Sequence, residues 1–174
     1  MSRLRGALVA VSLTAAAAAA ENDLTSRRAH LACGPSIITA QAFCYGDSPL
    51  CARETLTFRR MEGSTVLSPH PRTQDYPLHA GRKVAALDYR ANSWACVEGA
   101  NGGRYVAVVM VRAGGADCGE CQYARLYHPN GRAIAATLRF DTAGRPSGDA
   151  KAVAVMREVL GRPWPEGLKL VHDR

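Results

Sequence analysis

The sequence lacks the short motifs by which many enzymes are identified. It contains no Gly-x-Ser-x-Gly nucleophile elbow and no His-Glu-x-x-His zinc motif. Its glycine clusters at 99–103 and 113–115 are not followed by Gly-Lys-Ser/Thr, so neither is a phosphate-binding loop. Cys44 and Cys51 are too far apart for the usual spacing of a zinc ligand pair. These absences favour a protein that is not an enzyme and that holds no metal and no cofactor.

The sequence also has little that suggests binding to nucleic acid or crossing of a membrane. No basic run carries the interleaved aromatic residues that single-strand binders use for stacking. The apolar segment at 6–13 is too short to span a bilayer as a helix. We therefore expect neither a nucleic-acid partner nor a membrane span.

What the first twenty residues do contain is the pattern of a secretory signal peptide. Arg3 and Arg5 form a basic start, a short apolar core follows, and small residues from Ala15 to Ala20 end in an Ala-x-Ala pattern. We predict a signal peptide at 1–20 that is cleaved near Ala20. The remainder, 21–174, is then a single exported domain, located in the periplasm or secreted.

The chain is basic, with a net charge of +7 that arginine supplies almost entirely. Removal of Arg3 and Arg5 with the signal peptide would lower this charge by two. A solvated basic surface is one interpretation. The other is an anionic partner, and for an exported domain we expect another envelope or secreted protein, such as an enzyme with an acidic face.

An even number of cysteines in an exported chain predicts a disulfide framework. The chain has 6 cysteines, and all of them follow the predicted signal peptide. Six cysteines allow fifteen pairings, and the sequence alone does not choose among them. Proximity along the chain favours Cys44–Cys51 and Cys118–Cys121, which leaves Cys33–Cys96 as a long-range bond.

The segment 104–140 carries the clearest structural signals. Its Val-rich run at 105–111 is typical of a central strand buried on both faces. Asn130-Gly131 lies between two apolar segments and predicts a hairpin with a type I′ turn. We therefore predict three successive antiparallel strands in this segment.

The rest of the chain predicts short strands and one late helix. Segment 21–30 is polar and is predicted to be frayed or a short helix. At about 149–160 an apolar stripe indicates a helix, with Ser147 as a candidate N-cap and Asp149 near its positive end. The predicted fold class is α+β, a disulfide-stabilised and mostly antiparallel sheet of about six to eight strands with the C-terminal helix packed on one face. The further strands are predicted at 37–44, 54–60, 83–89, 93–97 and 168–172.

The candidate binding residues come from the least regular part of the chain, the Pro-rich segment 63–81. A long loop in a compact domain is usually functional or mobile. We predict that 69–76 is presented as an inserted loop, since prolines lower the entropy cost of binding and Tyr and Arg are enriched at binding hot spots. A passive crossover between two strands is the alternative. The candidate binding residues are His70, Arg72, Asp75 and Tyr76, with Trp164 as a second candidate contact.

These patterns leave three functional hypotheses. The first is a non-enzymatic periplasmic binding protein, namely an inhibitor or immunity protein that occludes an envelope-acting enzyme. The second is a thiol–disulfide oxidoreductase that uses Cys118 and Cys121, although the hairpin after Cys121 leaves no room for the helix that activates such a thiol. The third is a structural envelope protein.

Overall fold

The structure is a computed structural model, and it describes residues 24–78, 82–113, 122–141, 146–147, 149–165 and 168–171. The predicted signal peptide and the predicted Cys118–Cys121 pair lie outside these residues. The described residues form antiparallel strands in three sheets and one helix, α1 (Ala150–Leu160). The strands are β1 (Leu24–Cys33), β2 (Ser36–Tyr45), β3 (Cys51–Arg60), β4 (Gly63–Leu67), β5 (Thr73–Pro77), β6 (Lys83–Leu87), β7 (Tyr89–Glu98), β8 (Arg104–Arg112), β9 (Gln122–Tyr127), β10 (Leu138–Phe140), β11 (Pro146–Ser147) and β12 (Lys169–Leu170).

The strands are divided among three sheets instead of the single sheet predicted. A four-stranded sheet has the order β1-β2-β3-β4, a six-stranded sheet has the order β11-β10-β9-β8-β7-β12, and β5 pairs with β6. Neighbouring strands are mostly consecutive in sequence. Alternation along a strand indicates one buried face and does not indicate which sheet provides the cover, so the sequence did not distinguish one sheet from three.

The six-stranded sheet is the middle layer of three. Its one face packs against the four-stranded sheet, where Ile38 and Phe58 meet Trp94 and Val108 in a common core. The opposite face is covered by α1. This arrangement explains why β8 is buried from Tyr105 to Met110 without alternation, and it confirms the predicted central strand.

Helix α1 follows the predicted stripe. Ala152, Met156 and Leu160 are its buried residues, and they join a core formed by the middle sheet. The N-cap is Asp149, whose carboxylate accepts a hydrogen bond from the backbone N–H of Lys151. Ser147, the predicted candidate, belongs to β11 instead.

Two of the three predicted disulfides lie within the described residues, and both are present. Cys44–Cys51 joins directly opposed residues of β2 and β3. Cys33–Cys96 joins the end of β1 to β7 and therefore links the two large sheets. The two bonds are consistent with an oxidising environment, such as the periplasm or the extracellular space.

Two segments that were predicted to be irregular contain strands. β1 occupies most of the segment predicted to be frayed, and it pairs with β2 along its full length. β4 and β5 lie within 63–81, so the irregular part between them is only 68–72. The first four residues of β4 are all exposed, which leaves no alternation for the sequence to reveal.

The Asn130-Gly131 turn is a hairpin turn of a different type from the one predicted. The N–H of Gly131 donates to the carbonyl of His128 over 2.9 Å, so Pro129 is the first central residue of the turn. Proline has a fixed negative φ, whereas a type I′ turn needs a positive φ at that position. Gly131 instead follows the turn with a φ of 88°, as in three-residue hairpin loops. Of the third strand predicted in the segment 104–140, only residues 138–140 form a regular strand, β10.

A buried carboxylate lies between the two large sheets. Glu54 on β3 is 2 % exposed, and its Oε2 accepts a hydrogen bond of 2.7 Å from the backbone N–H of Ala91. The pairing of β7 with β8 shifts register between Ala91 and Ser93, which is the mark of a β-bulge. Glu54 therefore satisfies a backbone group beside the bulge, where a ladder partner is displaced.

Candidate functional site

A polar cleft of about 540 Å³ lies between the 68–72 segment and the middle sheet. We call it the arginine cleft. It combines arginines with aromatic and hydrogen-bonding side chains, and none of the described residues that line it is acidic. The lining residues are Pro69, His70, Pro71, Arg72, Tyr89, Gln122, Tyr123, Arg125, Thr137 and Arg139.

The register of two strands brings the cleft's floor together. Tyr123 and Arg125 are two residues apart on β9 and therefore point to the same face. Arg139 on β10 is the direct cross-strand partner of Tyr123, so its side chain shares that face. This face of β9 is also the one that packs toward the four-stranded sheet, where Tyr127 is buried.

The 68–72 segment forms the opposite wall and is fixed to β9 by two polar contacts. His70 Nδ1 and the hydroxyl of Tyr123 are 3.0 Å apart. Arg125 Nη1 donates to the carbonyl of Pro69 over 3.3 Å. Proline at 69 and 71 restricts the backbone on either side of His70, so little further entropy is lost when the segment docks.

Three rings pack together at the inner end of the cleft. The ring centroids of His70 and Tyr89 are 4.9 Å apart, and those of Tyr89 and Tyr123 are 5.0 Å apart in an edge-on arrangement. The guanidinium of Arg125 lies over the ring of Tyr123, 5.4 Å from its centroid. The aromatic cluster thus supports both the histidine and one of the arginines.

Burial disfavours the charged forms of both partners of the His70–Tyr123 hydrogen bond. It raises the pKa of Tyr123 to about 12, although the charge of Arg125 acts in the other direction. The pKa of His70 is below its ordinary value of 6.5, mainly because of burial, with Arg125 and Arg72 adding to the effect and Asp88 opposing it. Nε2 of His70 is buried without a hydrogen-bond partner among the described residues, which also disfavours its protonated form.

We expect His70 to titrate below pH 6.5, and we expect the replacement Arg72→Gln to raise its pKa because a nearby positive charge is removed. The lowered pKa of His70 also makes the stability of the fold depend on pH. As the pH falls below 6.5, the unfolded chain binds a proton at His70 before the folded chain does. The contribution of neutral His70 to the free energy of unfolding is therefore complete above pH 6.5 and is lost as the pH falls to the pKa of the folded state. His128, whose pKa is also lowered, acts in the same direction.

The pKa of His70 can be followed through its ring proton resonances by NMR. Arg59→Gln is the matched control, because Arg59 is an exposed arginine of β3 that does not line the cleft. A pKa of His70 above 6.5, or equal shifts in the two variants, would contradict this account of the site.

The structure brings two of the predicted binding residues together and separates the others. His70 and Arg72 line the arginine cleft. Asp75 and Tyr76 lie on β5, in the small sheet. Asp75 is exposed, whereas Tyr76 is 8 % exposed and packs with Tyr45 and neighbouring apolar residues. Tyr76 is therefore a core residue of the small sheet, so replacing it would disturb packing.

Trp164 lies at a second cavity, of about 530 Å³, on the side of the middle sheet that carries α1. Its ring packs edge-on against Phe140 with 6.1 Å between centroids. Prolines and apolar residues form much of this cavity, and Gln122 lines both it and the arginine cleft. Trp164 thus contacts a different surface from His70 and Arg72.

Sequence reasoning missed the floor of the cleft. Tyr123, Arg125 and Tyr127 occupy alternate positions of β9, and an arginine between two tyrosines on the inward face of a strand is unusual. That alternation is the signal that could have identified Arg125. Arg139 could not have been added, because its position depends on the pairing of β10 with β9.

The described residues do not form two other classes of site, a metal site and a membrane-spanning helix. No group of three or more His, Cys, Asp or Glu side chains among them is arranged to hold a metal ion. Within the same residues, no helix is long and apolar enough to cross a membrane. Cys118 and Cys121, the residues of the oxidoreductase hypothesis, lie outside the described part of the chain.

Comparison with known proteins does not assign the chain to a family. No protein-family model matches it. Searches of curated proteins and of solved structures likewise give no match. The arginine cleft must therefore be interpreted from its own residues.

Proposed function

We propose that this protein is a non-enzymatic binding protein of the periplasm or extracellular space, an inhibitor or immunity protein that occludes an envelope-acting enzyme. The observation that carries the proposal is the arginine cleft. Arg72, Arg125 and Arg139 line one cavity together with two tyrosines, and none of its described lining residues is acidic. Such a cavity is complementary to an acidic group on a partner.

The state of the polar groups supports binding as the role of this cleft. The hydroxyl of Tyr123, whose pKa burial raises to about 12, is a neutral hydrogen-bonding group at neutral pH. Its hydrogen bond with His70 and the contact of Arg125 with Pro69 hold the wall and the floor in one arrangement. A preorganised set of arginine and tyrosine side chains loses little entropy on binding, and these are residue types enriched at hot spots.

The partner can be sought by capture from envelope extract with the full exported chain. Once it is identified, we expect Arg72→Ala to weaken the complex by about 2 kcal/mol, roughly thirtyfold in Kd, because an exposed cation at the mouth of the cleft is removed. The variant should melt at nearly the same temperature as the wild type, since Arg72 is exposed.

Arg59→Ala provides the matched control, because it removes an exposed arginine of the same charge from β3, outside the cleft. Its Kd should stay within about twofold of the wild type. A captured partner that binds Arg72→Ala as tightly as the wild type would overturn the proposed contact, and a loss of equal size in both variants would reduce it to a general effect of charge.

A further inference from the structure

We infer that the arginine cleft is a binding site for a carboxylate that is attached to an apolar or aromatic body. This inference deepens the proposed function and rests on it for the biological partner, where an acidic side chain would supply the carboxylate. The site itself can be tested without that partner. Three features of the cleft support the inference: the placement of its cations, the aromatic support of one of them, and its size.

The cations come from three different parts of the chain and converge on one cavity. Arg125 and Arg139 lie on the same face of adjacent strands, in a diagonal relation across the β9–β10 pair. Diagonal neighbours lie about 7–8 Å apart, within reach of long side chains that share a ligand. Arg72 approaches from the opposite wall. Cations on two sides of one cavity favour an anionic group between them.

Neither Arg72 nor Arg125 forms an ion pair with another residue in the described part of the chain. Arg125 stacks over the ring of Tyr123, which supports the face of the guanidinium. The guanidinium has five N–H donors in its plane, which stacking does not occupy. The carbonyl of Pro69 takes one of them, and the hydroxyl of Tyr127 makes a second hydrogen bond. A planar carboxylate matches this fork of donors.

The size and walls of the cleft favour a ligand larger than a bare anion. A volume of about 540 Å³ lies within the range of pockets for small organic molecules. Tyr89 and Tyr123 provide aromatic edges beside the cations, and Pro69 and Pro71 provide apolar surface on the other wall. A ligand with its carboxylate at the arginines would place its apolar body against these residues.

The test uses N-acetyl-phenylalanine as the probe and the full exported chain as the receptor. Binding is followed by NMR chemical shifts and by calorimetry. We expect saturable binding, shifts centred on Tyr123 and Arg125, and at least tenfold weaker binding of the corresponding amide, which lacks the carboxylate. Arg139→Gln should weaken binding of the probe at least fivefold, whereas Arg59→Gln should leave it unchanged. Thermal melting confirms that each variant is folded.

Several outcomes would overturn the inference. Equal affinity for the acid and the amide would show that the carboxylate is not recognised, and binding of inorganic phosphate without binding of the probe would assign a different anion. Shifts centred on Trp164 would place the ligand at the second cavity. If the probe fails while capture of a partner still depends on Arg72, the ligand class is wrong and the proposed function stands. If the probe binds and capture of a partner does not depend on Arg72, the ligand class is right and the proposed function is wrong.

Discussion

Replacing Cys33 and Cys96 together with alanine is expected to lower the free energy of unfolding by about 4 kcal/mol. The bond links residues separated by 63 positions, so its loss releases a long loop in the unfolded chain. It also joins the last residue of β1 to β7, across the interface of the two large sheets. Chemical denaturation of the purified variant at equilibrium measures the change.

The second disulfide provides the matched control for this effect. Cys44→Ala with Cys51→Ala makes the same chemical change at buried positions, but the bond closes a separation of only 7 residues. The chain-entropy model then gives a loss of about 2.5 kcal/mol. Equal losses for the two double variants would show that loop length does not determine the stabilisation, and a larger loss for the short loop would contradict the argument outright.

Met156→Asp is expected to destabilise the protein by about 3–5 kcal/mol, because it places an unpaired charge in an apolar core. Met156 is 3 % exposed and packs with Val97 and Tyr105, between α1 and the middle sheet. The ionised aspartate would find no positive partner in that cluster of hydrophobic residues. Thermal and chemical denaturation should both report the loss.

Two substitutions separate burial from other effects of this change. Arg157→Asp puts the same side chain on the exposed face of α1 and should cost less than about 1 kcal/mol, including its unfavourable position near the helix C-terminus. Met156→Leu keeps the volume and the apolar character and should cost less than about 1.5 kcal/mol. Similar losses for Met156→Asp and Arg157→Asp would mean that α1 does not dock through the face described.

The elements that could be predicted from the sequence are those whose apolar pattern reports their surroundings directly. The Val-rich run of β8 indicated burial on both faces, and the stripe through Met156 identified the buried face of α1. In the strand predicted at 54–60, Leu56 and Phe58 alternate with threonines, and both are buried in β3. Each of these patterns is local, so no knowledge of the partner element was required.

The elements that could not be predicted owe their structure to distant pairing. β1 carries Arg27 and Arg28, and only its last residue, Cys33, is buried, yet it forms a ten-residue strand because β2 provides a complete ladder. β4 is almost wholly exposed and is held by β3. In both cases the hydrogen bonds of the neighbouring strand outweigh a weak local preference.

The same distinction applies to the arginine cleft. His70 and Arg72 could be selected because their surroundings in sequence are unusual, with prolines close by. Tyr123 and Arg139 lie next to each other only through the β9–β10 register. The two pairs of residues line one cleft because the 68–72 segment crosses β9, and no local sequence pattern specifies that crossing.

The strand order has a consequence for the sequence of events in folding. In each large sheet most neighbouring strands follow one another along the chain, so each is largely a meander that needs only short loops to close. The contacts between the two meanders join residues far apart in sequence and are slower to form. Cys33 and Cys96 belong to different meanders. Oxidation of that pair during refolding of the reduced chain should therefore report the docking of preformed sheets and lag behind the appearance of strand structure.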